Sequence, residues 1–237
     1  VVYSCIKTIM SIVPSAPLME AASTQIGVFL RATAPNIRYL GIRALAAALS
    51  ETHGRFAQVL ANDEQHQLAV IECLESDDET LRRETLDVLY LMSTPANAPV
   101  IAERLLGALR RDSHDTGSTH VRRELVAKIT QLAERYAPSK QWYLDTFTAV
   151  LDVGGDLVRP DVAETLVSTF DARRTVLDAA YVQAAVDAYA ARVRDSLAPG
   201  ARPLPPLLCR VAAWLLGEHG ARCSTADVPA LLRTLVD

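Results

Sequence analysis

Apolar residues recur at helical spacing along almost the whole chain. The clearest run is Val121, Leu125, Val126, Ile129, Leu132, Ala133 and Tyr136, which fall on one stripe of a helix with 3.6 residues per turn. Glu124 and Lys128, four positions apart within it, add a pair worth roughly 0.2–0.5 kcal/mol. Pro138 is expected to end this helix, because proline has no amide proton for the next turn and pushes its predecessor out of the α region. Ser139 then stands where an N-cap is wanted, ahead of Trp142, Tyr143, Phe147, Val150 and Leu151. Gly154-Gly155 closes that second helix. Ser76 with Glu79, and Ser224 with Asp227, have the spacing of reciprocal N-terminal caps. No stretch alternates with period two for long enough to form a strand, so the pattern predicts an all-α chain.

The pattern also repeats. An apolar residue followed by others five and eight positions on occurs as Ile37-Ile42-Leu45, Leu81-Leu86-Leu89 and Val121-Val126-Ile129. It continues less sharply as Val158-Ala163-Leu166 and Leu208-Ala213-Leu216, with an earlier copy at Val1-Ile6-Ile9. Between the copies lie further helical stretches, at Gln67 to Leu74, Val100 to Leu109, Trp142 to Leu151 and Val176 to Val193. Two helices per roughly 40–47 residues is the signature of HEAT or armadillo repeats. Each pair leaves apolar flanks that only a neighbouring pair covers, at roughly 25 cal/mol per Å² removed from water. The expected fold is therefore a HEAT/armadillo-like α-solenoid of stacked antiparallel helix pairs, one segment over residues 1–237, curved into a long surface for large partners. The proline-rich stretch 196–206 reads as a surface loop within it.

Composition sharpens this picture. Half of the 237 residues are hydrophobic and 22% are charged, far from the makeup of a disordered chain. The longest uncharged run, Val88 to Ala102, contains two prolines and falls short of the roughly 18 apolar residues needed to span a bilayer. A net charge of −4 offers no overall attraction to nucleic acid. Cys5, Cys73, Cys209 and Cys223 form no CxxC pair and read as reduced thiols. The chain opens on Val1 and enters an apolar segment at once, without a basic region or cleavage site. It reads as a piece of a longer protein, expected on its own to self-associate or to need a partner, since no polar capping repeat precedes Ile6 and Ile9.

Catalytic chemistry finds little support. His114 and His120 are six apart with Asp115 between, a spacing that suits an inter-helix loop better than a metal site. Cys73, beside Ile71 and Leu74, reads as a small buried hydrophobe. Phosphate-cradling glycine loops and nucleophile elbows are absent from the sequence. No catalytic residue, metal ligand or cofactor is expected. Trp142 and Trp214 sit in apolar runs and read as core. What stands out are Arg38, Arg82, Arg122 and Arg159, each following the first residue of a repeat copy. Stacking would set them in a row, with Arg43, Arg83 and Arg123 nearby. Two readings are open. The row faces an acidic partner or a phosphoinositide headgroup, or each guanidinium bonds carboxylates and helix-end carbonyls of the next repeat, with Asp77, Asp78, Glu79 and Asp115 at hand.

Several strings then carry a family resemblance: VVYSCIKTIMSI (1–12), NIRYLGIRALA (36–46), HQLAVIECLESDDETLRRETLDVLYLMSTPAN (66–97), ITQLAERYAPSKQWYLDT (129–146), VGGDLVRPDVA (153–163) and VAAWLLGEHG (211–220). In this order they resemble the N-terminal trunk of large adaptins, the large chains of clathrin-adaptor and related coat complexes. The stretch 67–97 and GGDLVRP look most like epsilon-adaptin of the fourth adaptor complex, and YAPSKQW and VAAWLLGE are also close to gamma-adaptin. The Ser113 to Thr119 loop and the run from Asp171 to Pro206 depart from any family pattern.

The resemblance implies a non-enzymatic scaffold, here the middle to late part of the trunk. Its expected partners are a small sigma chain, a medium mu chain, a beta-type large chain and an Arf-class GTPase. Its expected place is cytoplasmic, peripheral on trans-Golgi, endosomal or coated-vesicle membranes, where such complexes sort transmembrane cargo. Another protein-binding solenoid, a transport receptor or a different coat subunit, is the alternative.

Overall fold

The computed structural model describes residues 1–12, 15–51, 64–114, 119–171, 178–223 and 228–236. Every regular element among them is helical. The chain forms two compact units, Val1–Tyr136 and Ala137–Asp237.

In the first unit the helices are α1 (Val2–Ser11), α2 (Ala16–Leu30), α3 (Pro35–Glu51), α4 (Glu64–Cys73), α5 (Glu79–Leu91), α6 (Ala98–His114) and α7 (Thr119–Tyr136). Helices α1, α3, α5 and α7 pack side by side in that order. On the other side α2 rests on α3 and α4, α4 on α5, and α6 on α7. This is the two-layer, pair-by-pair stacking of a HEAT-like array, and the repeat copies are the reason for it. Leu81, Leu86 and Leu89 of α5 and Val121, Val126 and Ile129 of α7 are all buried, as are Ile42 and Leu45 of α3 and Ile6 of α1. Ile37 departs from the expectation: in the first turn of α3 it is 40% exposed.

Local chemistry sets the helix ends. Asp78 caps α5, its Oδ1 accepting from the amides of Thr80 (2.9 Å) and Leu81 (3.2 Å). Ser76, expected in that role, instead accepts from the Asp78 amide. The turn after α5 is tied by Asn97, whose Oδ1 accepts from the Thr94 amide (2.7 Å) while its Nδ2 donates to the Met92 carbonyl (3.1 Å). Helix α7 ends at Tyr136, two residues before Pro138. Buried hydroxyls in and just after the helices donate to carbonyls one turn back: Thr85 to Leu81, Ser93 to Leu89 and Thr130 to Val126.

The second unit holds α8 (Lys140–Gly154), α9 (Pro160–Ser168), α10 (Ala179–Ser196), α11 (Pro206–His219) and α12 (Val228–Val236), with 3-10 turns at Gly155–Leu157 and Gly220–Arg222. Ser139 caps α8 as expected, accepting from the Trp142 amide at 3.1 Å. Gly155, at φ +50°, lets the chain leave that helix at an angle other residues resist. Helix α11 is the hub, touching α8, α9, α10 and α12. Its buried face is Leu208, Val211, Ala212, Leu215 and Leu216, so the last repeat copy holds at Leu208 and Leu216 while Ala212 takes the buried middle place and Ala213 is only half-buried. The stretch 197–205 between α10 and α11 is a loop. Ser224 and Asp227, expected as a cap, lie outside the described residues.

Phe147, Phe170 and Tyr189 are the largest side chains of this core. The Tyr189 hydroxyl lies 2.8 Å from Thr148 Oγ1. Thr148 already gives its only proton to the Leu144 carbonyl, so Tyr189 is the donor of that pair. Burial pushes the Tyr189 hydroxyl up to about 12, with Thr148 opposing in part. The folded state therefore disfavours the tyrosinate. Its stabilisation is complete below the ordinary value near 10 and is lost as pH rises from there through about 12, by about 3 kcal/mol for the two-unit difference. Urea unfolding followed by tryptophan fluorescence reads this unit alone, because both tryptophans, Trp142 and Trp214, belong to it. Stability should fall between pH 10 and 12, and Tyr189→Phe should lessen that fall without removing it, since burial also pushes Tyr181 of the same unit up to about 12, while costing about 1 kcal/mol at neutral pH.

Candidate partner-facing surface

Arg38, Arg82 and Arg122 occupy matching positions on α3, α5 and α7, the adjacent helices of one layer. All three are half-buried. Arg38 Nε donates to the carbonyl of Leu30, the last residue of α2, at 3.3 Å, and its terminal nitrogen lies 3.8 Å from Glu72 of α4. This is a cation placed on an orphan helix-end carbonyl, where the partial negative charge of α2 concentrates. Arg122 keeps its Nε buried with no hydrogen-bond partner. Arg159 belongs to the second unit, where it precedes α9, stands 81% exposed and pairs with Asp161 two residues on. The first unit thus holds three of the four arginines on adjacent helices of one layer. Of the carboxylates named as partners, Asp78 is spent as a helix cap, and Asp115 lies outside the described residues.

A second polar set lies on the same layer. Across α5 and α7, Arg83 meets Glu124 at 3.3 Å and Lys128 meets Asp87 at 2.6 Å. Lys128 and Arg135 also sit over the Tyr90 ring, at 5.1 and 6.0 Å from its centre. The i,i+4 spacing of Glu124 and Lys128 suits an intrahelical pair, whereas each of the two reaches across to α5. Partly exposed pairs of this kind contribute up to about 1 kcal/mol each and help to fix the lateral register of the two helices.

The remaining candidates are absorbed by structure. His66 is buried, its Nε2 3.1 Å from the Ser23 carbonyl, and His219 is buried with Nε2 3.0 Å from the Phe170 carbonyl. His120 lies beside Glu124 at 3.5 Å on the surface of α7. Asp115 and the side chain of His114 lie outside what is described. Among the described residues no group of three or more His, Cys, Asp or Glu is placed to hold a metal. Cys73 is fully buried, its thiol donating to the Ala69 carbonyl and pushed up by burial. All four cysteines are free. Trp142 and Trp214, expected in the core, are half-buried; Trp214 packs edge-on against His219. Among the described residues no helix is long and apolar enough to cross a membrane.

Known proteins give this surface its context. The profile of the family described as Adaptin N terminal region matches residues 1–237. The AP-4 complex subunit epsilon of Arabidopsis thaliana is 34% identical over 232 residues, covering 96% of this chain and 22% of that one. The AP-4 complex subunit epsilon-1 of Homo sapiens is 37% identical over 162 residues, 68% of this chain and 13% of that one. The AP-1 complex subunit gamma of Dictyostelium discoideum is 27% identical over 220 residues, or 93% and 22%. The chain thus spans less than a quarter of the length of these relatives.

Proposed function

Because this chain belongs to the adaptin N-terminal region family, we propose that it is the trunk segment of a large subunit in a vesicle-coat adaptor complex, built to hold other polypeptides rather than to catalyse a reaction. What carries the reading is that the family match runs over all of residues 1–237, on a chain whose described residues stack as helix pairs. Such stacking spreads side chains over long faces and encloses no reaction chamber. We read the whole stretch as one solenoid segment from the middle to late trunk, most akin to the epsilon type. The partners that follow are a sigma chain, a mu chain and a beta-type large chain, with recruitment by an Arf-class GTPase. The site of action is the cytoplasmic face of trans-Golgi, endosomal or coated-vesicle membranes, where the complex sorts protein cargo.

Within this reading the arginine row is assigned to holding the array together. Arg38 supports that assignment, since its guanidinium is engaged by α2 and α4 of its own unit. Affinity purification of the full-length protein from its own cells tests the function. Stoichiometric recovery of sigma, mu and beta chains is expected, and recovery of none of them overturns the proposal.

A further inference from the structure

The loop between α10 and α11 holds an extended shape for reasons written in its prolines. It opens on a type II turn over Ala198, Pro199, Gly200 and Ala201. Pro199 supplies the fixed φ of the second position, Gly200 takes the third at φ +80°, and the Ala201 amide donates to the Ala198 carbonyl at 3.0 Å. Beyond the turn run Arg202, Pro203, Leu204, Pro205 and Pro206. Each proline fixes its own φ and drives the residue before it out of the α region. Every position from 202 to 205 is thereby restricted to extended backbone. Pro205 shows the outcome, with φ −58° and ψ 146°, inside the polyproline II region. The far end is fastened to α11. There the Cys209 amide donates to the Pro205 carbonyl at 2.9 Å, and its thiol donates to the Leu204 carbonyl at 3.6 Å.

One edge of this strip faces solvent. Residues 201–203 are exposed, Leu204 is half-buried, Pro205 is buried and Pro206 is exposed again. A polyproline II helix has three residues per turn, so Pro203 and Pro206 share the outer edge while Pro205 holds the strip to the core. Among the described residues nothing donates to the carbonyls of Arg202 and Pro203, and nothing pairs with the Arg202 guanidinium. From Ser196 to Gly217 the chain carries Arg202, Arg210 and no carboxylate. Arg210 reaches Glu164 at 3.8 Å, which leaves Arg202 as the open charge of the segment. An exposed proline with bare carbonyls and an open cation beside it is shaped as a ligand. What fits it is a concave partner with aromatic faces for the pyrrolidine ring, donors for the carbonyls and a carboxylate for the guanidinium. The strip is ordered before binding, so little conformational entropy is lost on docking. Burial of Pro205 decides the kind of groove. One that takes two successive X–Pro pairs would need Pro205 as well, whereas one that clamps a single pair needs only Arg202 and Pro203.

We propose that the strip 201–206 is a docking motif for a WW-type domain, a small module that reads polyproline II ligands. Its aromatic groove clamps the Arg202–Pro203 pair, and its carboxylate meets Arg202. The test uses the full-length chain assembled with its companion subunits in extract of its own cells, with a photo-crosslinking residue at position 201. Irradiation should give an adduct that maps beside a tryptophan or tyrosine in the groove of such a domain. Pro203→Ala and Arg202→Glu should each lower its yield at least tenfold. Both side chains are exposed, so both variants should fold and assemble as the parent does. A synthetic peptide APGARPLPP, residues 198–206, added in large excess should suppress the adduct at least fivefold. The same peptide carrying Pro203→Ala should not. An adduct on lipid, on a companion subunit or on a surface without an aromatic groove overturns the proposal. So does no adduct, an adduct indifferent to either substitution, or equal suppression by the two peptides. Sigma, mu and beta chains that co-purify while this strip stays silent leave the scaffold reading standing, so the two failures are distinguishable.

Discussion

Leu89→Asp should abolish the cooperative core of the first unit. Leu89 is 1% exposed on α5, the helix packed between α3 and α7 and resting on α4. Removing the leucine side chain alone forfeits its transfer free energy and leaves a cavity, together roughly 2–5 kcal/mol for a buried leucine. The carboxyl then either ionises without a partner in an apolar site or takes up a proton to stay neutral, and each route adds a further cost of about 1–3 kcal/mol. The sum is comparable to the whole stability of an ordinary domain, about 5–15 kcal/mol. Hydrogen exchange localises the effect: amides of α3, α5 and α7 should lose their protection. The control is the same substitution two residues along. Leu91 is 46% exposed, and Leu91→Asp should change exchange in those helices by less than about 0.5 kcal/mol. Unchanged protection in Leu89→Asp would mean that the face of α5 assigned to the core is wrong.

Gly41→Val should be nearly as damaging, for a steric reason. Gly41 is buried on α3 where that helix crosses the end of α2. A Cβ there would lie 3.0 Å from the Leu30 amide nitrogen and the Phe29 Cβ, and 3.1 Å from the Phe29 carbonyl carbon. Two of those three atoms are backbone and cannot rotate away. Alanine gains about 1 kcal/mol of helix propensity over glycine, which offsets part of the strain. Valine adds two methyl groups to an already crowded approach and should cost about 3 kcal/mol or more. The displacement would also draw the Leu30 carbonyl from Arg38, now 3.3 Å away. Gly107→Ala is the contrast, because its Cβ meets nothing within 4 Å and the helix interior should gain about 0.5–1 kcal/mol. Thermal unfolding of the two variants should move in opposite directions. A Gly41→Val protein as stable as its parent would show that α2 and α3 do not approach this closely.

The strings LRRETLDVL of α5 and VRRELVAKI of α7 show how much of this fold is written locally. Their first, fifth, sixth and ninth residues are buried in both helices, and the third and seventh are exposed in both. That order follows from turn geometry once one face meets a neighbour. Ser139 as a cap and Pro138 as a stop were legible for the same reason, since each acts within four residues of itself. Ser76 and Asp78 were not separable by such rules. Both types cap helices, and the choice depends on where the chain turns into α5. Ile37 and the two tryptophans had core-like neighbours in sequence, yet their exposure depends on whether another helix arrives over them.

The candidate surface was less legible than the core. Sequence spacing set Arg38, Arg82, Arg122 and Arg159 in one series, and the first three do share a layer. Arg159 belongs to the second unit, where Pro160 begins α9 one residue later, so this arginine precedes its helix even though Val158, Ala163 and Leu166 of its repeat copy are all buried. The charge pairs joining α5 to α7, and the Arg111–Glu75 pair between α6 and the end of α4, join residues 36 to 41 positions apart. No local pattern relates them.

By itself, then, the sequence determined the helices, their apolar faces, the two-helix period and the kinship with adaptin trunks, because each of these rests on interactions within a few turns or on the order of residues along one chain. The tertiary structure alone decided which flanks are covered, which guanidinium groups meet helix ends, and which charges pair across neighbouring helices. Those outcomes depend on the distance and angle between helices far apart in sequence, and such geometry is set by the packing of whole faces against one another.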